Sequence, residues 1–132
     1  GVATMYTPGI EDEFKSHAIS SLHNRDCFSH GIEEEEVECT TIDILFEELQ
    51  LKSIDYLKVD TEGAELMILK GCEKTLKDKN IQCIQLEYGA TYTDAGFNVE
   101  DIIEYLKKFD YVEFFRTSEE LLFAHKEDMP CD

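Results

Sequence analysis

The sequence predicts an α/β fold that contains a βαβ unit and a C-terminal antiparallel β-hairpin. An apolar strand candidate at 54–60 is followed by helical periodicity at 63–79 and by a second strand candidate at 81–87. Strands joined through a helix of about four turns are expected to run parallel, with a right-handed crossover. The segments 111–116 and 121–125 flank four polar residues, which favours the hairpin near the end of the chain.

Length and charge limit the classes of function. With 132 residues the chain is long enough for one hydrophobic core, so we interpret 1–132 as a single domain. The formal net charge of −18 would repel a phosphate backbone and an anionic membrane surface, which argues against nucleic acid and membrane partners. Small molecules, basic proteins and divalent metals are compatible with this charge.

Cysteine usage and the lack of a targeting pattern predict a soluble protein of the cytoplasm. The five cysteines are odd in number and none forms a CxxC pair, so we expect free thiols in a reducing compartment. No stretch approaches the ~20 apolar residues that cross a bilayer, and no signal pattern opens the chain.

The first forty residues are predicted to contain two short strands separated by loops. Residues 2–7 are β-prone and end at a Pro-Gly turn, and residues 37–40 form the second strand candidate. Residues 11–31 are poorly patterned, which is typical of a long surface loop or of a short helix with loop flanks. The four glutamates at 33–36 repel one another, and we expect them in an exposed, extended loop.

Two capped helices are predicted on either side of the βαβ unit. Thr41 is expected to cap a helix through Leu49, and Asn98 to cap another that runs to Phe109. The apolar residues of the first helix recur at helical spacing and should bury one face. They are Ile42, Leu45, Phe46 and Leu49.

Candidate chemistry gathers where the two parallel strands end. Asp60 ends the first strand, with Glu62 two residues on, and Glu87 ends the second strand, with Tyr88 beside it. Ligands bind outside the carboxyl ends of parallel strands, so neighbouring strands would bring these carboxylates to one crevice. Mutual repulsion should then raise at least one carboxyl pKa towards the range of a general base. The alternative is that Asp60 and Glu62 only stabilise the positive N-terminus of the following helix.

Three ordered segments of the chain match one known family. The chain carries IDYLKVDTEGAE at 54–65 and LKG at 69–71, with TTID at 40–43 and IQLEYG at 84–89. This set closely resembles the hallmark segments of FkbM-type S-adenosylmethionine-dependent methyltransferases. The resemblance covers roughly 37–116 and, more loosely, 1–22.

The resemblance implies a Rossmann-like class I methyltransferase fold. It also implies transfer of a methyl group from S-adenosylmethionine, usually to a hydroxyl oxygen of a small-molecule or carbohydrate-like acceptor. By that analogy Asp60, Glu62 and Glu87 are catalytic, and Asp60, Thr61 and Gly63 contact the cofactor. Glu65, Tyr88 and Ser21 would then contact the acceptor, or Glu65 would secure the start of the helix.

Methyl transfer needs an aligned donor and acceptor, and a base where the acceptor is a weakly acidic alcohol. Asp60 is the first choice for that base, with Glu62 or Glu87 as the runner-up. A divalent ion held by these three carboxylates is a less favoured alternative, because clustered carboxylates permit a metal without requiring one.

The chain departs from the family in one respect. Its seven glycines form no GxGxG spacing, and too few residues precede Asp60 to hold three more parallel strands. The resemblance therefore predicts a partial fold that lacks the N-terminal, glycine-rich, cofactor-binding half, and weak cofactor binding by these residues alone. An incomplete sheet leaves an unpaired edge strand, which predicts a homodimer or poor solubility of the isolated chain.

A rival function and several side chains complete the expectations. The same scaffold could instead be a non-catalytic acidic module that binds a basic protein. His17, His23 and His30 are expected in an exposed loop, and His125 on the hairpin surface. Core positions are expected for three aromatic residues at strand spacing, which are Phe114, Phe115 and Phe123.

Overall fold

A computed structural model describes residues 1–8, 22, 32–88 and 95–129. The predicted loop at 11–31 and its three histidines fall outside these residues, as does Ser21. In chain order the described elements are β1 (Val2–Pro8), β2 (Ile32–Glu38), α1 (Ile42–Glu48), β3 (Ile54–Val59), α2 (Glu65–Lys70), α3 (Glu73–Lys77), β4 (Ile81–Glu87), α4 (Val99–Lys107), β5 (Tyr111–Arg116) and β6 (Glu120–His125).

The larger sheet has the strand order β3-β4-β6-β5. β3 and β4 are adjacent and parallel, with Ile54 opposite Ile81 and Val59 opposite Leu86. This pairing confirms the predicted βαβ unit. β6 runs antiparallel to both β4 and β5. The carboxyl ends of β3 and β4 therefore lie at the same edge of the sheet as the start of β6.

One hydrophobic cluster holds the sheet and three of the helices together. Its fully buried side chains include residues of β4, β5, β6, α2, α3 and α4, because each of these elements presents apolar residues to the same interior. They include Leu69, Leu76, Ile81, Ile84, Leu86, Ile102, Leu106, Leu121 and Phe123. Asn98 begins α4 with a reciprocal capping box to Asp101, as the sequence predicts for this N-cap.

The predicted single helix at 63–79 is wrong, because the chain forms two short helices separated at Gly71-Cys72. The carbonyl of Gly71 accepts a hydrogen bond from the Asp43 N–H at 3.0 Å. The N–H groups of Lys74 and Thr75 in turn donate to the Asp43 carboxylate, at 3.0 and 2.9 Å. In a continuous helix these two N–H groups would bond to the carbonyls four residues earlier. Asp43 therefore ends one helix and starts the next.

The capped helix α1 forms where expected, with the Thr41 hydroxyl accepting from the Ile44 N–H at 3.2 Å. Its predicted buried face is wrong, since none of its residues is buried and Leu45 and Leu49 are 40% and 64% exposed. The cause is how α1 is attached. It contacts α3 and the α2–α3 junction, and Ile42 at its start packs against the core while Leu45 and Leu49 stay exposed.

The glutamate run is extended and exposed as predicted, but it is a strand and not a loop. β2 spans Ile32–Glu38, rather than the predicted 37–40, and pairs antiparallel with β1. Each of Glu33 to Glu36 lies opposite an uncharged residue of β1. Consecutive side chains of a strand point to opposite faces, so the like charges are separated and the repulsion is tolerated.

Burial at the end of the chain differs from the expectation at three side chains. Phe123 is buried, but Phe114 and Phe115 are 44% and 52% exposed. The register of β5 against β6 shifts between Glu113 and Phe115, and β5 is the outer strand of the described sheet, so this end of β5 is not covered. His125 is buried, not on the surface, because it lies opposite Tyr111 and packs edge-on against that ring.

The described cysteines carry free thiols. They are Cys39, Cys72 and Cys83. Burial raises the pKa of the Cys72 thiol to about 12, so this side chain acts as a small hydrophobe of the core. No helix among the described residues is long and apolar enough to cross a membrane.

Candidate active site at the carboxyl edge of the sheet

The ends of β3 and β4 bring Asp60 and Glu87 together. Val59, the last residue of β3, lies opposite Leu86, so each carboxylate follows directly after a paired position. The charge of Asp60 acts on the Glu87 side chain, so the two carboxyl groups lie within the range of electrostatic interaction. On its other side Glu87 lies opposite Glu120, the first residue of β6. Three strands thus place acidic side chains at one edge of the sheet.

Lys58 supplies a positive charge within this acidic group. Its Nζ donates to Asp60 Oδ2 at 2.9 Å, and both side chains are partly exposed. The hydrogen bond to Asp60, followed by the charges of Asp60, Glu87 and Glu120, raises the pKa of Lys58. Lys58 therefore stays protonated and offsets part of the repulsion between the carboxylates.

Among the acidic side chains of this edge, Glu87 has a pKa that the neighbouring charges clearly raise. The negative charge of Asp60 raises its pKa above the usual 4.5, with smaller contributions from desolvation, the hydrogen bond to Asp60 and the charge of Glu62. Lys58 acts in the opposite direction. The expectation that repulsion would raise at least one carboxyl pKa is confirmed.

The turn that links β3 to α2 has an uncommon backbone. Glu62 has φ of 54° and Gly63 has φ of 110°, which lies in the region that glycine adopts without steric cost. Gly63 is therefore needed for the shape of this turn. Since α2 begins only at Glu65, Asp60 and Glu62 lie before the helix, and Ala64 occupies its N-cap without a side-chain hydrogen bond.

Glu65 is buried beneath the turn, with 1% of its surface exposed. Its Oε1 accepts from the N–H and the hydroxyl of Thr61 at 2.9 and 3.1 Å, and its Oε2 accepts from the Gly63 N–H at 3.0 Å. Both carboxylate oxygens are thus engaged by the turn. This network fixes the backbone on which Asp60 and Glu62 are carried.

Tyr88 follows Glu87 at the same edge and is attached to the turn before β6. Its hydroxyl donates to the Thr117 carbonyl at 2.6 Å, and its N–H donates to the Glu119 carbonyl at 2.8 Å. The structure therefore brings together Asp60, Thr61, Glu62, Gly63, Glu65, Glu87 and Tyr88. Ser21 is outside the described residues.

Two further observations concern metals and cavities. Among the described parts of the chain, no three His, Cys, Asp or Glu side chains are placed to hold a metal ion. A cavity of about 270 Å³ lies at the opposite, amino ends of β3 and β4, where Asp43, Gln50 and Asn80 contribute to its wall. Parallel strands begin at one edge of the sheet and end at the other, so this cavity is not part of the acidic edge.

Comparison with known families decides the identity of the chain. A family model described as the methyltransferase FkbM domain matches residues 1–113, which is most of the sequence. The chain belongs to the FkbM methyltransferase family. The resemblance based on the segments at 40–43, 54–71 and 84–89 is thereby confirmed. In the same comparisons no curated protein and no solved structure matched the chain.

In this member of the FkbM methyltransferase family, the structure adds two residues to the acidic edge that the sequence-based predictions did not include. Lys58 lies two positions before Asp60, and this spacing puts both side chains on the same side of an extended chain, so the pair was detectable. Glu120 joins the edge only because β6 pairs with β4 in the observed register. Glu120 lies 33 positions after Glu87 in the sequence, and nothing in the local sequence pattern indicates that the two residues pair.

Proposed function

We propose that the chain forms part of an S-adenosylmethionine-dependent O-methyltransferase that acts on a hydroxyl group of a small-molecule or carbohydrate-like acceptor. In this proposal the β3-β4-β6-β5 sheet is the C-terminal part of a Rossmann-like class I fold. The observation that carries the proposal is the Asp60–Glu87 carboxyl pair, which lies at the carboxyl edge of the parallel strands in a family of methyltransferases.

The described residues suit the positively charged, methyl-bearing end of such a cofactor. Asp60, Glu62 and Glu87 supply negative charge, and Gly63 lets a ligand approach the backbone closely because it has no side chain. Thr61 and Gly63 would line that side of the site. When bound, the cofactor supplies an electrophilic methyl group on a sulfonium.

Asp60 is assigned the role of base. The acceptor hydroxyl would bind within reach of Asp60, so that its proton would have a carboxylate to go to while the bound cofactor would supply the methyl group. The hydroxyl proton passes to the Asp60 carboxylate, which lies at the end of β3 and is partly exposed. Lys58 donates from Nζ to Asp60 Oδ2 at 2.9 Å, and this hydrogen bond holds the carboxylate in place at the end of β3.

Glu87 and Glu62 have supporting roles in this scheme. Glu87, whose pKa is raised by Asp60, is the runner-up for the base and would accept a hydrogen bond from the acceptor hydroxyl. Such a contact orients the oxygen for in-line attack, which is most of what methyl transfer asks of a protein. Tyr88, held against Thr117 at the same edge, would contact the acceptor on the β6 side.

A non-catalytic acidic module is the second candidate function. It is favoured by the net charge of −18 and by the exposed glutamates of β2, which place negative charge on both faces of this strand, outside the candidate active site. In this case a basic protein would bind the β1–β2 pair, and the carboxyl edge of the sheet would have no ligand.

The first experiment is calorimetric titration of S-adenosylhomocysteine into this chain and into the longest natural reading frame that contains it. Each is measured as wild type, as Asp60→Ala and as Asp55→Ala, an exposed acid of the same strand that serves as the control. Binding by the longer form that Asp60→Ala weakens and Asp55→Ala preserves supports the proposal. Absence of binding by both forms transfers the assignment to the acidic module.

A further inference from the structure

Glu65 is a charged side chain that the fold buries almost completely. It is 1% exposed, whereas the neighbouring acids Asp60 and Glu62 lie at the surface edge of the sheet. Burying a carboxylate costs several kcal/mol unless hydrogen bonds replace its hydration. A buried glutamate at this position therefore requires hydrogen-bond donors that replace the lost hydration of its carboxylate.

The donors all come from the turn between β3 and α2. Thr61 gives its N–H and its hydroxyl to Oε1, and Gly63 gives its N–H to Oε2, at distances between 2.9 and 3.1 Å. These bonds are charge-assisted and bridge the two residues that flank Glu62. The carboxylate thus closes a small ring around Glu62 from the buried side.

The ring has a conformational consequence for Glu62. A non-glycine residue with φ of 54° costs about 1–2 kcal/mol relative to the right-handed region. The hydrogen bonds to Glu65 are made by the residues on either side, so they hold the turn in this conformation. Without them the turn is free to relax, and Asp60 and Glu62 change direction relative to β4.

We propose that Glu65 is a positioning residue, which holds the Thr61–Gly63 turn so that Asp60 and Glu62 face Glu87 at the carboxyl edge of the sheet. It does not contact the acceptor, because its carboxylate is enclosed by the turn that it supports. The inference rests on the proposed function for its catalytic meaning, but the geometry that it describes can be tested without methyl transfer.

The test uses a substitution that keeps the charge. Glu65→Asp shortens the side chain by one methylene, so the carboxylate cannot meet Thr61 and Gly63 together. Glu73→Asp, at an exposed acid in the first turn of α3, is the matched control. The protein is the longest natural reading frame that contains the chain, and far-UV circular dichroism checks that each variant is folded.

The decisive readout is the titration of Glu87, followed by carbon-13 NMR of its carboxyl group and assigned with Glu87→Gln. The pKa of Glu87 is raised by the charge of Asp60, so a relaxed turn brings it back towards 4.5. We expect the pKa of Glu87 to decrease in Glu65→Asp and to stay unchanged in Glu73→Asp. An unchanged Glu87 titration in a folded Glu65→Asp variant overturns the proposal.

Thr61→Val provides a milder variant if Glu65→Asp does not fold. It removes only the 3.1 Å hydroxyl bond and keeps the N–H bond to the same oxygen. Its Glu87 titration should move in the same direction by a smaller amount, while Thr61→Ser should match wild type. No movement in Thr61→Val would contradict the positioning role.

Binding of S-adenosylhomocysteine separates this inference from the proposed function. A shifted Glu87 titration together with measurable cofactor binding supports both. A shifted titration in a protein that does not bind S-adenosylhomocysteine supports the positioning role and contradicts the methyltransferase assignment. Where the activity can be assayed, kcat in Glu65→Asp should fall about tenfold or more, with a smaller change in KM for the cofactor.

Discussion

The carboxyl groups of Asp60 and Glu87 repel each other, although they lie at the ends of different strands and each follows a paired residue of the parallel ladder. Two neighbouring carboxyl groups cannot both ionise without a cost in free energy. The ion pair of Lys58 with Asp60 offsets only part of this cost. The carboxyl edge of the sheet is therefore less stable at neutral pH than at mildly acidic pH.

Glu87→Gln should stabilise the protein at neutral pH. The pKa of Glu87 is higher in the folded state than its usual 4.5, so the folded state gains protons and its stability falls as the pH rises above 4.5. Removing the charge should raise the unfolding free energy at pH 7 by a few tenths of a kcal/mol, since the site is close to solvent. Urea unfolding at pH 7 and pH 4 measures this difference, which should vanish at pH 4. A destabilised variant at pH 7 would contradict the repulsion.

Asp43→Asn should lower stability by about 1–2 kcal/mol at pH 7. Asp43 accepts from the N–H groups of Lys74 and Thr75 and from the Thr75 hydroxyl. Partial burial opposes ionisation, but these bonds prevail and lower the pKa of Asp43 below 3.8. Its stabilisation is therefore present above pH 3.8 and is lost as the pH falls below that value.

Denaturant unfolding of Asp43→Asn and wild type over a range of pH tests this prediction. Glu47→Gln is the control, because its exposed ion pair with Lys74 contributes little to stability. Equal unfolding free energies for Asp43→Asn and Glu47→Gln at pH 7 would show that Asp43 does not cap α3.

Gly71→Ala should lower stability by about 1–3 kcal/mol through a steric clash. A Cβ atom at Gly71 would lie 3.2 Å from the Ile68 carbonyl oxygen and 3.3 Å from the Thr41 Cβ. Thr41→Ser removes a methyl group that would lie at 3.4 Å, so it should recover part of the loss in the double variant.

Gly96→Ala is the contrasting variant for this test. Its site is open, but its φ of +79° penalises an alanine through the backbone. Thr41→Ser should therefore give no recovery there. Thermal unfolding of the three single and two double variants gives the coupling, and equal recovery at both glycines would argue against contact between Gly71 and Thr41.

His125→Phe should preserve stability or increase it by up to about 1 kcal/mol. His125 is buried, and within the described part of the chain no group forms a hydrogen bond with its Nε2. Phenylalanine keeps the edge contact with Tyr111, whose ring centre is 5.6 Å away. His125→Ala is the reference, since its cavity should cost about 2–4 kcal/mol. Similar losses in both variants would mean that the ring nitrogens of His125 stabilise the fold, including Nδ1, which accepts from the Glu127 N–H at 3.3 Å.

The sequence predicted those elements whose information is local. β3 and β4 were found with nearly correct bounds because each is an apolar run between polar turns. Thr41 and Asn98 were recognised as N-caps because a cap acts within three residues of itself. The carboxylates at the strand ends followed from the parallel pairing and from the family segments.

The errors arise where distant residues decide the outcome. The helix at 63–79 breaks because Asp43, 32 residues before Thr75, takes over the hydrogen bonds of Lys74 and Thr75. His125 is buried because of its position opposite Tyr111, which depends on strand pairing. Similarly, Glu65 has an acidic side chain like its neighbours, and only the three-dimensional turn shows that it faces the interior.

The attachment of α1 through Asp43 also determines how this part of the protein opens. α1 has no buried residue of its own, so its packing alone cannot protect it from local unfolding. The carboxylate of its residue Asp43, however, accepts hydrogen bonds from the first N–H groups of α3. Thr75 and Leu76 of α3 are buried in the core. Local unfolding of α1 removes these hydrogen bonds from the start of α3. The amide protons of α1 and of the first turn of α3 should therefore exchange with solvent as one cooperative unit.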